Sequence, residues 1–304
     1  MTLSIYTQGL TRRFAGGFGV SDLDLAVPAC AVYGFLGPNG AGKTTTIRLL
    51  LGLLQPERGT IHLHGQTLDR RHRQALAQVG ALVESPSLYP HLTGRQNLEV
   101  TRRLLAVPVS RIDEVLAITA MCEAVDRKVR DYSLGMRQRL AIALALLGRP
   151  TLLILDEPAN GLDPAGILDM RQLLRRLVDD HCISVFVSSH QLGEVELVAS
   201  YVGVLHEGRL RFQGTLDELR ARYPPRVHLR CDDMRRAAAL LAAAGEDVDD
   251  ADPQTLSVQL RSRGESELNR LLVEAGLAVS HLLREQPSLE TLFFKLTGDA
   301  AVAA

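Results

Sequence analysis

The 304-residue sequence predicts an α/β core built on an open sheet, followed by a smaller α+β unit. Three observations predict it. First, the β-rich run from Ala31 to Leu36 passes through a glycine-rich segment, Gly37 to Gly42, into a helical pattern from Thr44 to Leu51. Second, Leu152–Leu155 ends at Asp156, and Ser184–Ser188 leads to His190; near-continuous apolar runs of this kind suit central strands buried on both faces. Third, helical stretches, notably Gly166 to Asp180, separate these runs. Apolar strands with polar residues at their C-terminal ends place a ligand site along one edge of such a sheet.

The pattern turns almost wholly helical between about residues 90 and 150, which predicts a helical subdomain beside the sheet. The core is expected to occupy residues 1–215. After Gly214 the composition shifts, and Tyr223-Pro224-Pro225 breaks the chain into a second domain over 216–304. There Val227–Cys231 alternates like a strand and Met234–Ala244 is an alanine-rich helix. With a short strand near Val248, Leu256–Leu260 extended, Glu265–Ala275 helical and Leu277–Leu283 extended, the order is β-α-β-β-α-β, that of a ferredoxin-like unit. Leu289–Leu296 adds a last helix, and the tail Ala300–Ala304 is expected to fray.

Composition narrows the function. With 46% hydrophobic and 23% charged residues and a net charge of −1, no whole-molecule positive field favours nucleic acid or anionic lipid. Tryptophan is absent and other aromatics are few, which removes a stacking surface for single-stranded nucleic acid. The opening Met1–Phe14 lacks the apolar core of a signal peptide. The longest apolar run, Leu140–Gly148, is far short of the ~20 residues that cross a bilayer. Four cysteines (Cys30, Cys122, Cys182, Cys231) stand singly without metal-ligand spacing, so they are expected to be buried, reduced thiols of a cytoplasmic protein. Of 34 Lys and Arg, only Lys43, Lys128 and Lys295 are lysine, which draws attention to Lys43.

Gly37 to Thr44, Gly-Pro-Asn-Gly-Ala-Gly-Lys-Thr, matches the phosphate-loop pattern G-x-x-x-x-G-K-[ST] in its strand–loop–helix setting. Glycines let backbone N–H groups turn inward around phosphates, and the helix N-terminus adds its positive end. Lys43 supplies a point charge to the β/γ phosphates, and the Thr44 hydroxyl ligates Mg²⁺. The expected nucleotide-contacting set here is Gly37, Pro38, Asn39, Gly40, Ala41, Gly42, Lys43, Thr44 and Thr45. Downstream, Asp156 and Glu157 end an apolar strand; the first is placed to hold Mg²⁺ through water and the second to orient or deprotonate an attacking water.

With these residues in place the sequence resembles the ATP-binding cassette family over about residues 3–215. Tyr132-Ser133-Leu134-Gly135-Met136-Arg137-Gln138-Arg139 stands where that family's signature motif belongs. The resemblance implies that Ser133 and Gly135 meet the γ-phosphate of ATP held by an opposite subunit, with Met136 beside them in the ATP-binding set, where it cannot hydrogen-bond as a glutamine would. Ala159-Asn160-Gly161-Leu162-Asp163 resembles the D-loop, with Asp163 at the nucleotide. His190 matches the switch histidine, and Phe14 the aromatic that stacks on adenine, with Phe18 the competing choice. Two departures stand out. Glu84 occupies the position of the Q-loop glutamine, as a third Mg²⁺ ligand with Thr44 and Asp156, and Leu134-Gly135-Met136 replaces Gly-Gly-Gln. Both departures, together with Pro287–Phe294, resemble ATPase subunits of bacitracin, lantibiotic and daunorubicin-type exporters.

The resemblance implies an ATPase, with ATP and Mg²⁺ as cofactors, that powers a multi-subunit membrane exporter of drugs or antibiotics. Its partners would be a second copy or a related ATPase chain, and membrane permease subunits seated in a groove near Ser85–Leu98. No nucleic-acid partner is expected. Its place would be the cytoplasmic face of the membrane, held through the permease. The alternative, a soluble member of the family acting on ribosomes or nucleic acid, is disfavoured by the single cassette, the absence of long coiled-coil insertions and the near-neutral charge.

Overall fold

The computed structural model describes residues 2–17, 19–84, 86–252, 255–261 and 263–297. Phe18, Ser85 and the tail Ala300–Ala304, named above, lie outside the described residues. The chain divides into two compact units. One runs to Leu216 and takes in the chain from Leu296; the other spans Asp217–Lys295.

The first unit opens with β1 (Leu3–Arg13), β2 (Gly19–Leu23) and β3 (Ala26–Pro28) before β4 (Val32–Leu36) and helix α1 (Lys43–Leu50). Then come β5 (Arg58–Leu63), β6 (Gln66–Thr67) and β7 (Val79–Leu82). The helical stretch supplies α2 (Gly94–Leu105), α3 (Ser110–Ile118) and α4 (Leu134–Leu146). It is followed by β8 (Leu152–Asp156), α5 (Pro164–Asp179), β9 (Ser184–Ser189), α6 (Leu192–Glu196), β10 (Tyr201–His206) and β11 (Arg209–Thr215), and α7 (Leu216–Ala221) begins at the last residue before the second unit.

The predicted open sheet is six-stranded, in the order β11-β10-β4-β9-β8-β7. All its pairings are parallel except β10 with β11. Parallel alignment puts the C-terminal ends of β4, β7, β8 and β9 at one edge, with Leu36 opposite Ser189 and Asp156 opposite Ser188. Residues far apart in sequence therefore meet there. Strands β4 and β8 are buried along their whole length, as their unbroken apolar runs require.

The sequence reading missed a second sheet, antiparallel, in which β1 pairs with β2, β3 and β5 and β5 with β6. Its strands alternate imperfectly because β1 carries register shifts in all three of its pairings. Its apolar residues Ile5, Leu10, Leu23, Val27, Ile61 and Leu63 join one core cluster with Tyr33, Phe35, Ile47, Leu50 and Phe186. Full burial of each such side chain stabilises by about 1.5–3 kcal/mol.

In the helical part, α2 starts with a capping box between Thr93 and Gln96. Hydrogen bonds from Arg102 and Arg103 hold the Glu99 carboxyl down at about 2.

The second unit contains β12 (Arg226–Cys231), α8 (Met234–Ala243), β13 (Asp247–Asp252), β14 (Thr255–Gln259), α9 (Glu265–Glu274) and β15 (Val279–Glu285), and α10 (Leu289–Thr297) follows. The sheet order β13-β14-β12-β15 is that of the ferredoxin-like arrangement. Val227, Leu229, Leu256 and Val258 form its core with Ala237, Leu241, Leu268 and Leu272.

The cysteine expectation is corrected. Cys30 and Cys182 form a disulfide with Cα atoms 4.7 Å apart across a sequence separation of 152. Each sits just before a strand, and β4 and β9 are neighbours in the parallel sheet, so the pairing is invisible to local spacing. Neither remaining cysteine is buried: Cys122 is exposed and Cys231 half-buried.

Candidate active site

The phosphate loop leaves β4 at Leu36 and enters α1 at Lys43. Glycine is required at both ends of it. A Cβ on Gly37 would lie 2.5 Å from the Leu205 carbonyl oxygen. Gly42 has φ +108, and a Cβ there would meet Val20 Cγ1 at 2.7 Å and the Gly19 carbonyl oxygen at 2.9 Å. Pro38, Asn39 and Gly40 are exposed, Ala41 is buried, and Thr44 and Thr45 are half-buried at the start of the helix. The loop thus pairs an open crest with a fixed base.

Lys43 is buried, and its Nζ donates to the carbonyls of Gly37 (2.8 Å) and Pro38 (3.3 Å). It also lies 3.2 Å from Glu157 Oε1. On its other oxygen Glu157 meets His190 Nδ1 at short range. Asp156 makes a parallel set of contacts: Oδ2 accepts from the Thr44 hydroxyl at 2.8 Å, and Oδ1 accepts from the Ser188 hydroxyl at 2.6 Å. Each carboxylate therefore bridges the first turn of α1 to the end of β9. Thr44 and Asp156 offer hard oxygen donors to one point, the donor set that suits Mg²⁺.

Glu157 has φ +52, a left-handed conformation that costs a non-glycine residue roughly 1–2 kcal/mol. Two contacts hold it there. Its N–H donates to Ser188 Oγ at 3.0 Å, and its carbonyl accepts from Asn160 N–H at 3.1 Å. Ser188 is fully buried, and sequence reasoning, which follows the run on to His190, misses it. A hydroxyl near the end of an otherwise apolar strand was the signal that could have singled it out.

The signature region lies at the start of α4. Ser133 is its N-cap, with Oγ accepting from the Met136 N–H at 3.2 Å. Leu134 remains two-fifths exposed, and Gly135 and Met136 are half-buried. Asp163 is the N-cap of α5: its Oδ1 accepts from the Gly166 N–H at 3.0 Å, so within this chain it serves a helix end. Phe14 is two-fifths exposed, with the Arg12 guanidinium 5.3 Å from its ring centre.

Glu84 is not drawn into the Thr44–Asp156 pair. It has φ +60 and pairs with Arg48 of α1, while still lining the cleft that holds Asp156 and Glu157. The structure thus brings together Lys43, Thr44, Asp156, Glu157 and His190. Phe14, Glu84, Ser133, Gly135, Met136 and Asp163 are placed around or beyond them.

The family model for the ABC transporter matches residues 20–160. Over 99% of this chain and the whole of the relative, the sequence is 38% identical to the bacitracin transport ATP-binding protein of Bacillus licheniformis. The chain belongs to the ABC transporter ATPase family. Within it, the daunorubicin resistance ATP-binding protein of Streptomyces coeruleorubidus is 35% identical over 97% of this chain and 96% of its own. Among solved structures, a Clostridium perfringens ABC subunit described as part of the transporter complex cbiONQ superimposes with a TM-score of 0.68 at 25% identity. That match covers 81% of this chain and 98% of that one. As an ABC ATPase the chain binds ATP and couples its hydrolysis to transport. Among the described residues no helix is long and apolar enough to cross a membrane.

Proposed function

We propose that this chain is the ATP-hydrolysing subunit of a membrane exporter for a drug-like or peptide antibiotic, working with Mg²⁺ and with separate permease chains. The observation that carries the reading is likeness along the whole length, second unit included, to ATP-binding chains named for bacitracin transport and daunorubicin resistance. Its place is the cytoplasmic face of the membrane, held there by the permease.

The residue roles follow from the chemistry at the sheet edge. Lys43 and the loop 37–45 hold the phosphates, and Phe14 takes the adenine. Thr44 and Asp156 hold Mg²⁺, which when bound neutralises charge on the β and γ phosphates. Glu84, tied to Arg48, adds negative charge to the cleft beside that ion. Glu157 accepts a proton from the attacking water, and His190 fixes the carboxylate's orientation from its far oxygen.

A second copy or a related chain completes the site. The capped start of α4 presents Ser133 and Gly135 to a γ-phosphate bound by that partner, where a helix N-terminus favours an anion, with Met136 alongside the nucleotide. Asp163 reaches the shared interface through the loop it terminates. ATP favours the closed pair by binding it more tightly than the open one.

The test is purification of the tagged full-length chain from detergent-solubilised membranes. The expected companion is a polytopic membrane protein lacking a nucleotide-binding domain. Recovery with ribosomes and without a membrane protein would overturn the reading.

A further inference from the structure

Gln138 lies one turn into α4, and neither the phosphate loop nor the carboxylate pair uses it. It is only 6% exposed, and its Oε1 is enclosed without a hydrogen-bond partner. A buried acceptor left unpaired is destabilising, whereas an apolar side chain of the same shape carries no such penalty. Packing alone is therefore a poor reason for an amide here.

Its surroundings suggest a better one. Gln138 lines a cleft of about 620 Å³ together with Glu84, Asp156, Glu157 and Asn160. The lining also holds Arg130 and Arg137, yet Gln138 Oε1 receives a hydrogen bond from neither, so the acceptor still lacks a donor. The cleft is polar and large enough for water, which can donate to Oε1 and at the same time to a carboxylate.

The helix that carries Gln138 is tied to the loop after β8. A Cβ on Gly161 would lie 3.2 Å from Leu134 Cδ2, and one on Gly135 would lie 3.7 Å from Leu162 Cδ2. One turn of α4 thus rests on residues 161–162 while the next presents an unpaired acceptor beside Glu157 and Asn160. Asn160 in turn holds the Glu157 carbonyl in its left-handed bend.

We propose that Gln138 is a positioning residue for ATP hydrolysis: its amide oxygen holds a water between α4 and the Glu157–Asn160 wall. The orientation of the catalytic carboxylate then depends on where the signature helix sits. This rests on Glu157 being the base, and it adds a link within the same chain between the signature region and that base. Movement of α4 would be felt at Glu157 without any change in the phosphate loop.

Gln138→Met keeps the volume and removes the acceptor. In the full-length chain we expect kcat to fall about tenfold, with KM for ATP and fluorescent ATP-analogue affinity unchanged within about twofold and Tm equal to or above that of the parent. If Tm rises and kcat stays at the parent value, the amide is packing only and the proposal is overturned. Should the Met variant fail to fold, Gln138→Glu reads the same split. A fourth carboxylate in the cleft should lower kcat and leave KM unchanged, and a parental kcat overturns the proposal. Glu157→Gln measured alongside separates the two ideas. If it is inactive while Gln138→Met is fully active, the positioning role alone fails. If it is fully active, the reading of Glu157 fails first.

Discussion

Ser188→Ala tests the account of how the carboxylate pair is held. The Ser188 hydroxyl is fully buried, donates to Asp156 Oδ1 at 2.6 Å and accepts from the Glu157 N–H at 3.0 Å. A hydrogen bond to a charged group contributes about 1.5–3 kcal/mol, and leaving a buried N–H unpaired costs about 1–3 kcal/mol. Because both losses fall on one atom they will not add fully, and about 3 kcal/mol is the expected destabilisation. The functional effect should exceed what a general loosening would give. Glu157 is held in a conformation that costs roughly 1–2 kcal/mol, and without Ser188 the peptide is free to relax out of it. Urea denaturation of parent and variant gives the first quantity, and steady-state ATPase assays well below the melting temperature give the second. We expect kcat to fall at least about tenfold, equivalent to about 1.4 kcal/mol of barrier, with ATP affinity retained. A destabilisation below about 0.5 kcal/mol with parental kcat would refute the reasoning, since that is the range of an unremarkable surface change.

Three other outcomes follow from the structure. Lys43→Arg forces a guanidinium into a buried site bounded by the Gly37 and Pro38 carbonyls. Overpacking of this kind costs about 1–3 kcal/mol, so ATP affinity measured by fluorescence titration should fall at least about fivefold, and unchanged affinity would contradict the fit. The Cys30–Cys182 disulfide closes a loop of more than a hundred residues, so reduction or Cys182→Ser should lower stability by about 3–5 kcal/mol on the chain-entropy account. Thiol titration of the unreduced, denatured chain should then count only Cys122 and Cys231; four reactive thiols would exclude the bond. Glu99 has its pKa held near 2, well below the unfolded value, so its favourable pairing with Arg102 and Arg103 is present above about pH 4.5 and lost as pH falls toward 2. Carboxyl NMR titration should find it still ionised at pH 3.5, and a midpoint near 4.5 would remove the pairing.

How much of this could be read from the sequence depends on how local the cause is. The phosphate loop is contiguous, and its glycines are set by φ values and close approaches within one turn, so Gly37 to Thr44 announced itself. The β-α-β-β-α-β order of the second unit was legible except at β13, whose Asp-rich stretch Asp247–Asp252 carries no alternating pattern and was placed only as a short strand near Val248. The antiparallel sheet was not, since β1 changes register in all three of its pairings and blurs the two-residue alternation.

At the site, Asp156, Glu157 and His190 were found because they follow apolar runs, yet their pairing with Thr44 and Lys43 is a product of parallel strand order. Ser188 and the disulfide were missed for that same reason: each depends on which strands are neighbours. Asp163 carries a second signal in the sequence beside its family motif: an Asp-Pro at the start of a helix is a capping pattern, and Asp163 caps α5.

The most direct test of the central claim is single-turnover hydrolysis by Glu157→Gln. The account predicts that ATP binding persists, that hydrolysis falls by at least about a hundredfold, and that ATP with Mg²⁺ drives the variant into a dimer on size-exclusion chromatography. Parental turnover with no ATP-dependent dimer would contradict it.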